Sequence, residues 1–306
     1  MIEDILIIIS NTLIYMVPLL LASTGEIITE RSGIVNIGLE GIMVLSAFTA
    51  ALASFYLSPL TGLILGMVIG LLSGLLHGFI SIYLKGDQII VGIGYNIFSY
   101  GLSIMGLIAV WRQHGSSPPV DKIGLIQLYL PIGRVSLSIL SIVSILLAIL
   151  TWHILFHTGL GLRLRACGED PKSAEALGIN VYRMRLYSTM IGGLLTGLAG
   201  AYLSVGWIGQ FTRDISAGRG FIALANVAFS GWNPLLAIIG AMVFGLFDTL
   251  SIYLPIKIQV LYPHARIASL AYLFNTLPYI ATLTVVSLAI GRVRMPASLG
   301  KPYIKE

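Results

Sequence analysis

The sequence predicts an all-α membrane protein with about eight or nine spanning helices. Of its 306 residues, 57% are hydrophobic and only 10% are charged, which lies outside the range of soluble domains. Apolar stretches of the roughly 20 residues that a helix needs to cross about 30 Å of hydrocarbon recur along the whole chain. The bilayer is therefore the expected solvent.

Charged residues and Pro/Gly clusters divide the chain into helices. The stretch 220–231 is apolar but too short for an ordinary span, so we predict a broken or half-depth helix there. All of 1–306 forms one transmembrane domain, with a polar loop at 157–184 and a tail at 291–306. The predicted spans are 5–23, 37–57, 60–84, 89–111, 136–156, 185–206, 233–254 and 267–290.

Lys and Arg residues in the loops predict the orientation of the chain. The basic tail is assigned to the cytoplasm, and counting crossings backward places the N-terminus outside. Of the 18 Lys and Arg residues, eleven then lie inside and seven outside. The acidic start, Met1 to Asp4, argues against a cleaved signal peptide.

Composition excludes several functions. The single cysteine, Cys167, rules out an intrachain disulfide and a multi-cysteine zinc site, and the five histidines lack metal-ligand spacing, so we expect no metal. The basic residues are scattered between apolar spans, which argues against nucleic acid as a partner. No Gly-x-x-x-x-Gly-Lys-Ser/Thr loop occurs, so this chain is not expected to bind nucleotide phosphates.

A short sequence repeat within the chain, which we call the internal echo, indicates an inverted repeat of the fold. The dipeptides Pro-Leu, Met-Val and Gly-Leu at 59–71 recur at 234–246, at a constant offset of 175 residues. Each copy follows a Gly- and Asn-bearing segment, and the crossing count gives the copies opposite directions. We therefore predict halves at about 1–111 and 185–290, with a transported solute near the midplane between them.

The loop 161–180 encodes a complete short helix. Asp170 can accept hydrogen bonds from the first free N–H groups, Pro171 suits the first helical position, and Gly178 supplies the left-handed stop. Charged residues gather around it in a chain that has few. This favours a cytoplasmic docking element, with an ordinary amphipathic connection as the alternative.

The stretch 168–180, followed by the Gly/Ala-rich 192–200, resembles permeases of type II ATP-binding-cassette (ABC) importers in the ribose and nucleoside branch. The stretch 25–43 is similar to the nucleoside permeases in particular, and 91–96 and 220–234 extend the resemblance over nearly the whole chain. Sugar-branch relatives usually carry an extra helix before the first one here, which agrees with an outside N-terminus.

This resemblance implies a transport subunit in the plasma membrane that is not itself an enzyme. Its partners would be a cytoplasmic ABC ATPase, as two copies or in tandem, a second homologous permease subunit and an extracellular solute-binding protein. ATP and Mg²⁺ would bind the ATPase, and this chain would bind no cofactor. The loop would be the coupling helix, contacting the ATPase through Gly168, Glu169, Asp170, Pro171, Ala174, Glu175, Leu177 and Gly178.

Polar residues that would be costly in lipid are candidates for the translocation path. Glu40 could instead pair with Arg31 or cap a helix break, and the asparagines could simply bond neighbouring helices. The candidates are Asn36, Glu40, Asn96, Asn226 and Asp248. Small residues at four-residue spacing predict close helix packing, at Gly66/Gly70/Gly74 and Gly192/Thr196/Gly200.

Nucleosides are the first expected solutes, ribose-like sugars the next and branched-chain amino acids the last. The loop 112–134 and the charges Arg213, Asp214 and Arg219 could receive the binding protein. A stand-alone carrier that uses Glu40 or Asp248 as a proton site is an alternative that the docking-like loop disfavours. An intramembrane enzyme is a third, but no nucleophile–base or metal-ligand motif occurs.

Overall fold

The computed structural model describes residues 2–130, 133–261, 273–274, 276–289 and 294–304, which are mostly helical. Two π-helical turns, Phe79–Tyr83 and Tyr202–Ile208, extend α3 and α8. The helices are α1 Ile2–Arg31, α2 Leu39–Tyr56, α3 Pro59–Gly78, α4 Gln88–Trp111, α5 Ile139–His157, α6 Gly159–Glu169, α7 Pro171–Ala176, α8 Val181–Ala201, α9 Arg219–Phe229, α10 Pro234–Leu261 and α11 Leu277–Ala289.

The predicted all-α membrane fold is confirmed in its main features. Seven helices of the described chain are long and apolar enough to cross a bilayer, and α9 is a shorter apolar helix. Its 11 residues extend only about 16 Å, roughly half of the hydrocarbon thickness. The start of the predicted span 267–290, and part of the tail 291–306, lie outside the described residues.

Several boundaries differ from the prediction. Strands β1 Leu125–Leu130 and β2 Gly133–Ser138 form an antiparallel hairpin where a loop was expected, and α5 begins at Ile139 because the Ser138 side chain caps it. Helix α1 continues past residue 23 to Arg31, since its later glutamates are buried against protein partners instead of ending the helix. Helix α10 continues past its predicted end at residue 254, through Pro255, to Leu261.

Contacts define two ends of the molecule. At the hairpin end, the Ser136 amide donates to Ser10 Oγ near the N-terminus, and Lys257 at the end of α10 pairs with Asp4 at 2.6 Å. At the loop end, residues 157–184 meet the tail 294–304, where the Ser298 amide donates to the Gly168 carbonyl oxygen. These ends lie at opposite ends of α1, so Asp4 and the described tail 294–304 are on opposite sides of the fold.

Helices α1, α2, α3 and α8 form the centre of the fold. Gly66, Gly70 and Gly74 of α3 contact the backbone of α8, where a Cβ at Gly70 would overlap the Gly193 carbonyl oxygen. Gly192 and Gly200, on another face of α8, lie against α1 and α2. The small-residue spacing therefore brings the backbones close together, as predicted.

The helices that precede the two copies of the internal echo run in opposite directions. Helix α2 leads from the middle of the fold to the hairpin end, where Ser54 Oγ donates to the Asp121 carbonyl oxygen. Helix α9 leads from the middle to the loop end, where the Trp232 carbonyl oxygen accepts from Arg31. The starts of these two helices meet inside the protein.

Candidate functional site

The segment between α1 and α2 interrupts the helical path and is held by side chains. The backbone amide of Asn36 donates to Glu26 Oε1 at 2.7 Å, and the side-chain Oδ1 of Asn36 accepts from the backbone amide of Gly38 at 2.9 Å. Gly33 has a φ of +98°, a left-handed conformation that suits glycine. Non-helical backbone is tolerated at membrane depth only when protein or water satisfies it, and here protein does so.

Asn96 of α4 holds the start of α2. Its Oδ1 accepts from the Gly41 amide at 2.7 Å and its Nδ2 donates to the Ile37 carbonyl oxygen at 3.0 Å. Both halves of the amide are therefore used in joining two helices. The side chain positions the interrupted segment from a neighbouring helix.

Glu40 joins α2 to the start of α9. Its Oε2 accepts from the Gly220 amide at 2.7 Å, and its Oε1 accepts from the Gly218 amide at 2.8 Å and from Ser216 Oγ at 2.5 Å. The Tyr100 hydroxyl also donates to Oε1, at 3.2 Å. The first N–H groups of a helix lack intrahelical partners and attract negative charge, so Glu40 acts as a long-range cap of α9.

Arg31 does not pair with Glu40, because its guanidinium donates to the Gly231 and Trp232 carbonyl oxygens instead. Of the two structural roles considered for Glu40, pairing with Arg31 or capping a helix, the structure shows the helix cap. We call the set Asn36, Glu40, Asn96, Ser216 and Gly220 the polar junction. Its three predicted residues come together around the starts of α2 and α9.

Asn226 and Asp248 lie apart from the polar junction. Asn226 Nδ2 donates to Ser23 Oγ at 2.9 Å and to the Ala237 carbonyl oxygen at 3.1 Å, which ties α9 to α1 and α10. Asp248 pairs with Arg219 at 3.0 Å, and that guanidinium lies 4.8 Å from the Trp207 ring centroid. Arg219 is thus largely buried in an ion pair and is not the free loop charge that the sequence suggested.

The sequence analysis missed two buried acids on α1. Glu26 contacts the interrupted segment, and Glu30, one helical turn later, accepts from Trp232 Nε1 at 2.5 Å. Both side chains are buried although the predicted span ended before them. Their i, i+4 spacing on the helix that precedes the interruption was the available signal.

The predicted caps of α7 are confirmed. Asp170 Oδ1 accepts from the Lys172 and Ser173 amides at 3.1 and 3.2 Å. Gly178 has a φ of +83° and its amide donates to the Glu175 carbonyl oxygen, while the Ile179 amide donates to that of Ala174. This is a Schellman stop, which fixes a helix of only six residues at both ends.

The residues around α7 divide into two faces. Gly168 and Ala174 are buried against the body of the protein, and Glu169 and Glu175 contact the tail. Leu177 is 81% exposed, and Lys172, Ser173 and Ala176 are exposed beside it. We call these four residues the exposed face of α7. The preceding helix α6 was not predicted, because the basic residues within it suggested a loop.

Among the described residues, no group of three or more His, Cys, Asp or Glu side chains could hold a metal ion. The site therefore consists of hydrogen-bonded helix junctions inside the protein and a capped helix at its loop end. Such an arrangement holds neighbouring helices in place and leaves one face of α7 exposed.

Comparisons with known proteins identify a family of membrane permeases. The family model described as "branched-chain amino acid transport system / permease component" matches residues 8–286. The guanosine ABC transporter permease protein NupQ of Bacillus subtilis is 36% identical, and the nucleoside ABC transporter permease protein NupC of Lactococcus lactis is 34% identical. Each alignment covers 98% of this chain and 97% of the relative.

A protein of Haloferax volcanii with the provisional name glucose ABC transporter permease protein TsgC13 is 31% identical, over 94% of each chain. No solved structure matches this chain significantly. The family match over most of the sequence and the seven apolar helices of the described chain agree with one another. The chain therefore belongs to the branched-chain amino acid transport system permease family and is a multi-pass, type II ABC-transporter permease.

Proposed function

We propose that this permease imports nucleosides, guanosine among them, with energy from ATP hydrolysed by a separate ATPase. The observation that carries the solute assignment is the similarity over 98% of the chain to permeases named for nucleosides and guanosine. The observation that supports an ATPase partner is α7, a doubly capped helix with an exposed face at the loop end. The loop end is then cytoplasmic and the hairpin end extracellular.

The exposed face of α7 is the proposed contact with the ATPase. A protein-facing helix needs a fixed backbone and an accessible apolar anchor, and the caps together with Leu177 provide both. ATP and Mg²⁺ would be held by that ATPase. A second permease subunit and an extracellular solute-binding protein complete the proposed importer, with the hairpin end facing the binding protein.

The proposed translocation path runs beside the polar junction, between halves at about 1–111 and 185–290. Glu40 links the starts of α2 and α9, so a movement of either half shifts the other. In this conformation Asn36, Glu40, Asn96, Asn226 and Asp248 are buried with protein partners. We infer that they hold the interrupted helices in place, and direct contact with the solute remains a prediction.

A stand-alone proton carrier is less well supported. Such a carrier needs an acid that binds and releases protons in contact with water. Glu40 accepts from four donors, and Asp248 is paired with the largely buried Arg219. Both acids are therefore engaged in fixed contacts between helices.

The test is competition for uptake in a reconstituted importer. The permease, its ATPase, the partner permease and the binding protein are placed in proteoliposomes with labelled guanosine and ATP. Excess unlabelled adenosine should compete, whereas glucose, ribose and leucine should not. Competition by glucose or ribose, without competition by adenosine, would indicate that the solute is a sugar. The similarity to TsgC13 would then be the relevant comparison.

A further inference from the structure

The C-terminal tail crosses the end of α6 and reaches α7. The Ser298 amide donates to the Gly168 carbonyl oxygen at 2.9 Å, and Ser298 Oγ donates to the Glu169 carbonyl oxygen at 3.1 Å. Farther along, the Tyr303 hydroxyl donates to the Glu175 carboxylate on α7. The tail therefore contacts both helices of the loop, in front of and behind Asp170.

These bonds meet a specific need of α6. The last carbonyl groups of a helix have no intrahelical donors and must find partners elsewhere. In α6 the final two carbonyls are satisfied by Ser298, and that of Cys167 accepts from Arg185 Nη2 at 3.2 Å. Residues distant in sequence thus complete the C-terminus of this helix.

Arg185 ties the same assembly to the break between α1 and α2. Its guanidinium is almost fully buried and donates to carbonyl oxygens of three segments, those of Ser32, Cys167 and Lys301. The Gly300 amide also donates to the Gly33 carbonyl oxygen at 3.1 Å. The tail, α6 and the turn that precedes the polar junction are therefore one hydrogen-bonded body.

An apolar contact completes the enclosure. Tyr303 is buried with Cys167, Ala174 and Val181 in a small cluster beneath the tail. The Tyr303 ring also lies 5.5 Å from that of Tyr182, whose hydroxyl donates to the Tyr303 carbonyl oxygen. The end of the chain covers the only cysteine in the sequence.

We propose that residues 296–303 are a strap that positions α7 for the ATPase and makes it move together with the α1–α2 break. Arg185 and Tyr303 are its positioning residues. This inference rests on the proposed function, because it assumes that the exposed face of α7 receives the ATPase. Without the strap, α7 would move on its own and ATP hydrolysis would drive the helices less effectively.

Cys167 provides a direct readout of strap closure. Its side chain is fully buried, and burial raises the pKa of its thiol, so alkylation by a maleimide should be slow. We compare the wild-type importer with Tyr303→Ala and with a chain that ends after Met295. Ile304→Ala is the matched control, because this side chain is 58% exposed. The strap variants should label at least about tenfold faster, whereas the control should match wild type.

Guanosine uptake per ATP hydrolysed, measured on the same samples, shows whether the strap contributes to coupling or only packs over Cys167. We expect this ratio to fall in both strap variants while subunit assembly and basal ATP hydrolysis persist, and Tyr303→Phe should recover part of it through ring packing. Unchanged labelling would refute the strap, and faster labelling with an unchanged ratio would refute its role in coupling. Absence of ATP-driven uptake in wild type would instead reject the proposed function, while labelling would still decide whether the strap closes.

Discussion

The carboxylate of Glu40 accepts a hydrogen bond from the backbone amide of Gly220 at 2.7 Å, although the two residues are 180 positions apart in the sequence. This bond joins the start of α2 to the start of the half-depth helix α9. An acid within a membrane protein thereby caps a helix and links the two helices that precede the copies of the internal echo. Substitution of Glu40 should therefore lower the stability of the fold, whether or not it also changes solute binding.

Glu40→Gln should destabilise the protein by about 1.5–3 kcal/mol, the range for buried hydrogen bonds to a charged group. The glutamine amide keeps the size of the side chain but turns N–H donors toward the Gly218 or Gly220 amides. Thermal unfolding in detergent measures the change, with Glu3→Gln on an exposed position as control. Equal unfolding temperatures for the two variants would contradict the cap.

Asp248→Asn should leave the largely buried Arg219 without its charged partner. Breaking one side of a buried ion pair typically costs about 3–5 kcal/mol, whereas replacing both members with apolar residues costs less. We therefore expect Arg219→Met with Asp248→Leu to unfold at a higher temperature than Asp248→Asn alone. Asp4→Asn, in the more exposed pair with Lys257, should have the smaller effect.

A different result would revive the carrier alternative. If Asp248→Asn keeps the wild-type unfolding temperature but abolishes uptake, Asp248 acts on the solute or on protons. Loss of stability together with uptake agrees with the structural role that the Arg219 contact indicates.

Gly70→Ala should separate α3 from α8. A methyl group there would overlap the Gly193 backbone, which cannot move aside as a side chain can, so we expect at least about 1–3 kcal/mol of destabilisation. Gly101→Ala on α4 is the control, since its Cβ would meet nothing within 4 Å. Chemical or thermal unfolding of the two variants compares them, and equal stability would show that the helices tolerate separation.

The sequence predicts most helices because apolar windows in a bilayer are long and unambiguous. It also predicts the caps of α7, since Asp170, Pro171 and Gly178 act through local backbone geometry. It does not reveal Glu26 and Glu30 as helix residues, because their partners, Asn36 and Trp232, are reached only after the chain folds. Burial of an acid depends on those distant donors.

The hairpin and the strap were missed for related reasons. Strands β1 and β2 are six residues each and lie in a connection between two spans, where pairing at close range competes with an ordinary loop. The tail contains few apolar residues, and its order comes from satisfying carbonyl groups of α6. For the polar junction, the sequence identified Asn36, Glu40 and Asn96 but left their bonding partners open. The structure supplies Ser216 and Gly220 as partners of Glu40.

The Asp170 cap should depend on pH in a defined direction. The Ser173 hydroxyl and the adjacent amides donate to this carboxylate, which lowers its pKa below the ordinary value of 3.8. A lowered pKa in the folded state means that the cap is fully effective above 3.8 and is lost as the pH falls through the lowered value.

Hydrogen exchange at the Lys172 and Ser173 amides measures this effect. Asp170→Asn serves as the reference at each pH, because asparagine caps a helix without titrating. Protection in wild type relative to this variant should stay constant from neutral pH to about pH 4 and decrease only below it. A decrease between pH 6 and 5 would show that the carboxylate is not stabilised by these donors.

ATP-driven uptake of labelled guanosine by the reconstituted importer, with Asp170→Ala and Gly178→Pro combined in this chain, tests the central claim most directly. Proline cannot adopt the φ of +83° at Gly178, whereas Gly178→Asn can and serves as the control. We predict uptake that requires ATP, persists in the control and collapses in the double variant, with the membrane domain still folded. Guanosine uptake by this chain alone, without ATP or an ATPase, would contradict the account.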